Sequence, residues 1–182
     1  MIRDEELLFK ILNQKLKEKS LNLVLICVGG FVLNHYSIRA TMDIDSFYTA
    51  SKEIEDIILF MGEEYDLNPE GELWLNNSVQ NLNKRPPEEI CDVLYEFSNL
   101  KVMIPPLEYI ACMKLQSARE QDIMDVASII HRCDIKMPED MENILNKYGI
   151  GDIDESVLLE AFGEAYGMEW LEKYYVDKHK ND

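Results

Sequence analysis

The chain has 182 residues, of which 47% are hydrophobic and 29% are charged. This length and composition allow one sizeable apolar core and exclude an intrinsically disordered chain. No stretch approaches the roughly 20 apolar residues that cross a bilayer, and the charged segment 1–6 lacks the apolar run of a signal peptide. We therefore expect a cytoplasmic protein that does not enter a membrane.

The cysteines and histidines indicate neither disulfides nor a zinc site. No C-x-x-C pair occurs, and the histidines are far apart in sequence. Each cysteine has apolar neighbours, so buried free thiols in a reducing compartment are expected. The four cysteines are Cys27, Cys91, Cys112 and Cys133.

The formal net charge is -17 at pH 7. Contacts to phosphate supply most nonspecific nucleic-acid affinity, and an acidic surface on average repels a polyanion. We therefore expect no nucleic-acid binding by this chain alone, and a basic protein is the better-matched partner. Net charge does not show where charges lie. Lysines in the first helix and near the C-terminus offer the alternative of a local basic stripe.

In chain order, the N-terminal part alternates helices and strands. Leucine and isoleucine at helical spacing predict a helix over residues 3–19. The apolar run 23–28, which stops at Gly29, predicts a strand buried on both faces. The next predicted elements are a short helix over 31–36, a strand over 43–48, and a helix that Ser51 caps and that ends near 65.

A polar, turn-rich segment (66–89) separates these elements from the rest, apart from a short apolar piece around Trp74. Residues 91–97 then alternate as in a half-buried strand, with Cys91, Val93, Tyr95 and Phe97 inside. Residues 100–104 are its predicted hairpin partner. All later segments are predicted helices: 107–118, 121–132, 139–148, 155–166 and 168–176.

This order predicts an α/β (α+β) fold, with a small mixed sheet and a helical C-terminal half. Residues 1–104 would form the α/β core with its N-terminal helix. Residues 105–182 would form a helical region packed on that core, so that both make one compact unit.

Gly29 and Gly30 stand where the first strand passes into a helix. Glycine lets the backbone approach a ligand closely, and the free N–H groups that open a helix favour anions. Asp43 and Asp45 follow on the second predicted strand, where residues two apart point to the same face while Ile44 enters the core. Two adjacent carboxylates repel each other unless a cation lies between them, and Mg²⁺ prefers a few carboxylates plus substrate phosphates.

Taken together, these features resemble the signature of the polymerase-beta-like nucleotidyltransferase superfamily. The residues are a buried strand, Gly29-Gly30, a short helix, Arg39-Ala40-Thr41 and Asp43-x-Asp45. The likeness is strongest to small bacterial members with G-G…R-x-T-x-D-[IV]-D, and to the AbiEii-type toxins of toxin–antitoxin systems. A second block resembles their K-L-x-A-R…D-x-x-D motif, and it runs from Met113-Lys114-Leu115 through Ala118-Arg119 to Asp122–Val126. The tripeptide Trp74-Leu75-Asn76 also resembles a W-L-N between the two blocks.

The resemblance implies a nucleotidyltransferase fold that transfers a nucleoside monophosphate from an NTP to an unknown acceptor. Gly29 and Gly30 would then hold the triphosphate, and Asp43 and Asp45 would be catalytic ligands of Mg²⁺ (or Mn²⁺). The remaining nucleotide-binding residues that it implies are Arg39, Thr41 and Lys114.

Two of these assignments leave alternatives open, and the charged residues of the second block have structural interpretations. Arg39 fits a phosphate contact or a brace for the aspartate strand. Lys114 shares a helix face with small apolar residues, where it would reach either a phosphate or solvent. Arg119 and Asp122 are spaced for an ion pair, and we expect Asp122 and Asp125 to be exposed or helix-capping.

One departure from the resembled pattern concerns a third carboxylate, which no motif identifies. Asp92 and Glu96 share a face of their predicted strand, and Glu96 is the preferred third catalytic residue. If both are merely solvent-facing, the alternative is a binding module. Such a nucleotidyltransferase-fold antitoxin or partner subunit would act through another protein.

Overall fold

The computed structural model describes residues 5–41, 43–68, 73–81, 84–151 and 153–180. The first two residues of the predicted helix 3–19, and parts of the turn-rich segment 66–89, lie outside these ranges. The chain forms two compact units, Met1–Pro106 and Leu107–Asp182.

Among its described residues, the first unit contains a five-stranded mixed sheet, three α-helices and two short 3₁₀ helices. Its strands lie in the order β3-β2-β1-β5-β4. Strand β1 is parallel to β5 and antiparallel to β2, β2 is parallel to β3, and β4 is antiparallel to β5. This mixed sheet with many helices confirms the predicted fold class. The elements are α1 (Glu5–Glu18), β1 (Leu23–Cys27), α2 (Gly29–His35), β2 (Ile44–Phe47), α3 (Lys52–Glu64), β3 (Leu75–Asn76), β4 (Asp92–Glu96) and β5 (Leu100–Ile104).

Strand β1 is the centre of this sheet, as its unbroken apolar sequence predicts. Leu25, Ile26 and Cys27 are fully buried, and burial raises the pKa of the Cys27 thiol well above its usual value. Helix α1 packs on β5 and α3, and its buried Phe9 contacts the ring of Tyr95 at a centroid distance of 5.5 Å. The thiol of Cys27 is therefore an inert core group.

Strand β3 has two residues, too few for any periodicity, and we did not predict it. Trp74 fixes it in place. Its indole is 1% exposed and donates from Nε1 to the carbonyl of Ile58 in α3 at 3.0 Å. Its carbonyl accepts from the amide of Ile44 at 2.8 Å. The side chain of Trp74 thus anchors this segment to α3, while its backbone pairs with β2.

Strand β4 corrects the predicted alternation of residues 91–97. The pairing of β4 with β5 shifts between Val93 and Tyr95, so the residue between them is a bulge. A bulge adds one residue and reverses the faces that follow it. Val93 and Tyr95 therefore lie on opposite faces of the sheet, although they are two residues apart. Val93 is 46% exposed rather than buried, whereas Tyr95 packs on Phe9.

The second unit is helical, as predicted for every described segment after Pro106. Helix α4 packs on α5 and α6, α5 packs on α7, and α7 packs on α8. Gly149 ends α6 at a φ of 60°, and the Asp154 carboxylate caps α7 by accepting from the amide of Ser156. No helix among the described residues is long and apolar enough to cross a membrane. The helices are α4 (Leu107–Ser117), α5 (Glu120–Arg132), α6 (Pro138–Tyr148), α7 (Glu155–Tyr166) and α8 (Met168–Lys180).

Ser46 provides a test of the core. It pairs with Cys27, is fully buried, and its hydroxyl has no hydrogen-bond partner among the described residues. An unsatisfied buried hydroxyl costs roughly 1–3 kcal/mol. We expect Ser46→Ala to raise the free energy of unfolding by about 1 kcal/mol in urea denaturation.

The matched control for this substitution is Ser128→Ala. The exposed hydroxyl of Ser128 donates to the carbonyl of Met124, so its loss should leave stability nearly unchanged. A clear destabilisation by Ser46→Ala would show that the hydroxyl has a partner that matters.

Candidate functional site

The junction of β1 and α2 lies directly against β2. The amide of Val28 donates to the carbonyl of Asp45 at 2.8 Å, which continues the antiparallel pairing of Cys27 with Ser46. Gly29 has a φ of +59°, and a Cβ built on it would lie 3.0 Å from Oδ2 of Asp45. Only glycine accepts both this backbone conformation and this contact without strain. The carboxylate of Asp45 therefore rests on the backbone of Gly29.

Gly30 makes a second close approach. A Cβ built on Gly30 would lie 3.0 Å from both Cβ and Oγ1 of Thr41. The same hydroxyl of Thr41 donates to Oδ1 of Asp43 at 2.6 Å. Thr41 therefore connects the second glycine to the first aspartate.

The two aspartates flank Ile44, which is 5% exposed, as expected from strand alternation. Asp43 and Asp45 are each half-buried, so their carboxylates are accessible without being fully hydrated. The structure thus brings together five of the residues expected from the sequence: Gly29, Gly30, Thr41, Asp43 and Asp45.

Strand β3 adds a residue that we did not assign to the site. Asn76 is the register partner of Asp45 on β3, and paired residues on neighbouring strands point to the same face. The side-chain oxygen of Asn76 accepts from the amide of Ser78 at 3.2 Å and from its hydroxyl at 2.6 Å. The tripeptide that begins at Trp74 was the available signal, but sequence alone did not place it beside Asp45.

Arg39 follows α2 and has an exposed side chain. Its backbone amide donates to the carbonyl of Leu33 at 3.5 Å, which ties this segment to α2. Whether the guanidinium binds a phosphate or braces the aspartate strand stays a prediction.

The structure does not bring Glu96 to the aspartate pair. Glu96 lies on the edge strand β4, level with Lys101 and Val24, whereas Asp45 lies level with Val28. Three strand spacings and four residues of strand separate the two acids, about 14 Å across the sheet and about 13 Å along it. The assignment of Glu96 as the third carboxylate is therefore not supported.

Asp92 does not replace Glu96. It pairs with Ile104, one residue from Met103, the partner of Ile26. Because faces alternate along a strand, its side chain lies on the sheet face opposite to that of Asp45. Neither predicted acid of β4 completes the pair.

In the second unit, Lys114 forms the centre of a buried charge cluster. Its side chain is 8% exposed, and Nζ lies 2.7 Å from Oδ1 of Asp122 and 2.8 Å from Oδ2 of Asp125. Arg119 also pairs with Asp122, at 2.7 Å, as its spacing predicted. The four side chains carry two positive and two negative charges. Lys114 as a triphosphate ligand stays a prediction, but its ammonium already has two carboxylate partners.

The expectation that Asp122 and Asp125 are exposed or helix-capping is wrong. They are 1% and 3% exposed. Burial alone would raise the pKa of Asp122, but hydrogen bonds from Arg119 and Lys114 hold it below its usual value. The two aspartates are buried because Lys114, on α4, compensates their charge.

Gly29 provides a test of the close approach. Gly29→Ala puts a Cβ on a left-handed residue and against Asp45, which should cost at least about 1–2 kcal/mol of stability. Gly151 is the matched control, because a Cβ there meets nothing within 4 Å. Urea denaturation of both variants measures the difference, and equal stabilities would contradict the geometry.

Lys114 provides a test of the charge cluster. Lys114→Met leaves two buried carboxylates without their shared cation, and breaking a buried pair in this way costs about 3–5 kcal/mol. Thermal and urea unfolding measure the loss. Lys136→Met is the control, because Lys136 forms an exposed ion pair with Asp134 and should have little effect. An undiminished stability of Lys114→Met would favour a lysine that is kept for a ligand.

Comparison with known proteins shows to which family the chain belongs. No curated protein and no solved structure matches it. The family model described as a nucleotidyltransferase of unknown function (DUF6036) matches residues 6–157, most of the chain and all of the site described above. The chain therefore belongs to this family of nucleotidyltransferases of unknown function.

Proposed function

We propose that this chain binds a nucleoside triphosphate together with a divalent cation, and transfers its nucleoside monophosphate to an acceptor. The observation that carries the proposal is the packing of the Asp45 carboxylate on Gly29, at 3.0 Å from where a Cβ would stand. Backbone N–H groups at the start of a helix favour anions such as phosphate, and the Asp45 carboxylate lies beside this turn. The family supports nucleotidyl transfer as the reaction class.

The donor set fits Mg²⁺ that arrives with the nucleotide. No group of three or more His, Cys, Asp or Glu side chains that could hold a metal occurs in the described ranges. In this proposal Asp43 and Asp45 supply two carboxylates, and Mg²⁺ or Mn²⁺ would take its other ligands from phosphate and water. When bound, the cation would neutralise charge on the phosphates.

The residues of the chain would then position the nucleotide. Thr41 donates to Asp43 and so keeps one carboxylate oriented, and Gly29 leaves the space that Asp45 occupies. In the reaction, an acceptor oxygen bonds to the α-phosphorus, the bond to pyrophosphate breaks, and the acceptor proton passes to solvent. Catalysis of this type depends mainly on positioning and charge.

A second function, a nucleotide-binding module without transfer, is favoured by one observation. The residue beside Asp45 on β3 is the neutral Asn76, and the acids of β4 lie elsewhere. Such a module would act through a partner chain, as an antitoxin or subunit of a toxin–antitoxin pair in a bacterium. The charge of -17 favours a basic protein as that partner.

Asp45→Asn tests the proposed site. Replacing this acceptor-only ligand by an amide should lower the affinity for Mg²⁺–NTP at least about tenfold, or about 1.4 kcal/mol. Calorimetry with ATP, GTP, CTP and UTP, each with and without Mg²⁺, measures the effect. We expect binding without Mg²⁺ to change little.

The matched control is Asp92→Asn, which makes the same charge change on the opposite face at the sheet edge. It should bind Mg²⁺–NTP like the wild type, and equal binding by Asp45→Asn would contradict the site. Release of pyrophosphate from the wild type with a labelled NTP then separates the enzyme from the binding module.

A further inference from the structure

Asn76 lies opposite Asp45 on the neighbouring strand β3. The two residues are paired on the parallel strands β2 and β3, whose backbones lie about 4.8 Å apart. Paired side chains share a face, so the amide of Asn76 stands beside the carboxylate of Asp45. It is half-buried, and a ligand that contacts Asp45 would lie on this same face of the sheet.

The orientation of this amide follows from Ser78. A backbone N–H can only donate, so the Asn76 atom that faces the Ser78 amide must be the oxygen. Oδ1 accepts this bond at 3.2 Å and a second bond from the Ser78 hydroxyl at 2.6 Å. The nitrogen Nδ2 is thereby turned away from Ser78. It donates no hydrogen bond to any residue within the described ranges.

An amide nitrogen with two free N–H groups cannot bind a cation, but it can bind an acceptor oxygen. Beside a carboxylate pair that takes a cation, the acceptor oxygens that arrive belong to the phosphates of the nucleotide. We propose that Asn76 donates from Nδ2 to a phosphate oxygen of the bound NTP. It is thus a nucleotide-binding residue and not a metal ligand. This inference rests on the proposed function.

The alternative role of Asn76, a cation ligand through Oδ1, is disfavoured by the same geometry. Both hydrogen bonds from Ser78 would have to be given up for Oδ1 to face a cation. Losing two such bonds costs about 1–3 kcal/mol, whereas Nδ2 needs no rearrangement in order to donate.

Asn76→Asp distinguishes the two roles because it exchanges the donor for an acceptor of the same size. Ser78 can still donate to the remaining oxygen, so the turn is retained. If Nδ2 binds phosphate, affinity for Mg²⁺–NTP should fall about tenfold or more, because a carboxylate then faces the phosphate. If the residue is a metal ligand, the third carboxylate should instead tighten binding of Mg²⁺ and of Mg²⁺–NTP.

Two further variants complete the experiment. Asn76→Ala removes the donor without adding charge and should lower the affinity about threefold to tenfold. Asn143→Asp adds the same charge on the exposed face of α6, and should leave the affinity unchanged. Thermal unfolding verifies that each variant folds, and if Asn76→Asp does not, Asn76→Ala decides.

The possible outcomes separate this inference from the proposed function. A wild type that does not bind Mg²⁺–NTP overturns both. A wild type that binds, with Asn76→Ala equal to it, overturns the role of Asn76 and leaves the site intact. Tighter binding by Asn76→Asp also overturns the donor role. Weaker binding by both variants at position 76, with Asn143→Asp unchanged, supports it.

Discussion

The hydrogen bond from the Val28 amide to the Asp45 carbonyl, at 2.8 Å, is the contact on which the candidate site depends. It extends the β1–β2 pairing to the last residue before the glycines. Because the backbones are held this close, a side chain on Gly29 would meet the Asp45 carboxylate, and the positive φ of Gly29 disfavours any residue with a Cβ. Strand pairing therefore places a turn suited to phosphate next to a carboxylate suited to a cation. Their relative position does not depend on flexible side chains.

The second unit buries charged side chains instead of presenting them. Two carboxylates with almost no exposure would be costly to bury alone. Lys114, eight residues before Asp122 and on another helix, compensates both, and Arg119 compensates Asp122 from the surface. The cluster links α4 to α5 through charges that balance each other. The two sequence blocks therefore have different physical roles. The glycine–aspartate block contains accessible carboxylates, whereas the block around Lys114 contains buried ones.

The sequence predicted what depends on local patterns. Apolar runs and helical spacing located every long element, and the glycine and aspartate pairs led to residues that lie in contact. The sequence did not predict the features that depend on contacts between residues far apart in the chain. Strand β3 is too short for a period and depends on Trp74, and the bulge in β4 exposes Val93. Asp122 is buried because Lys114, which lies on a different helix, compensates its charge. Glu96 lies on the same sheet face as Asp45, but the two residues are far apart.

Trp74 has a use that follows from its position. The chain has two tryptophans, and each unit contains one of them. Trp74 is buried in the first unit with its indole hydrogen-bonded to Ile58, while Trp170 stacks on Tyr174 in the second, with ring centroids 5.4 Å apart. Their fluorescence environments are different, one dry and one half-exposed among aromatic rings. Replacing Trp170 by phenylalanine would leave Trp74 as a single intrinsic optical reporter, so that the melting of the first unit becomes visible without any added label.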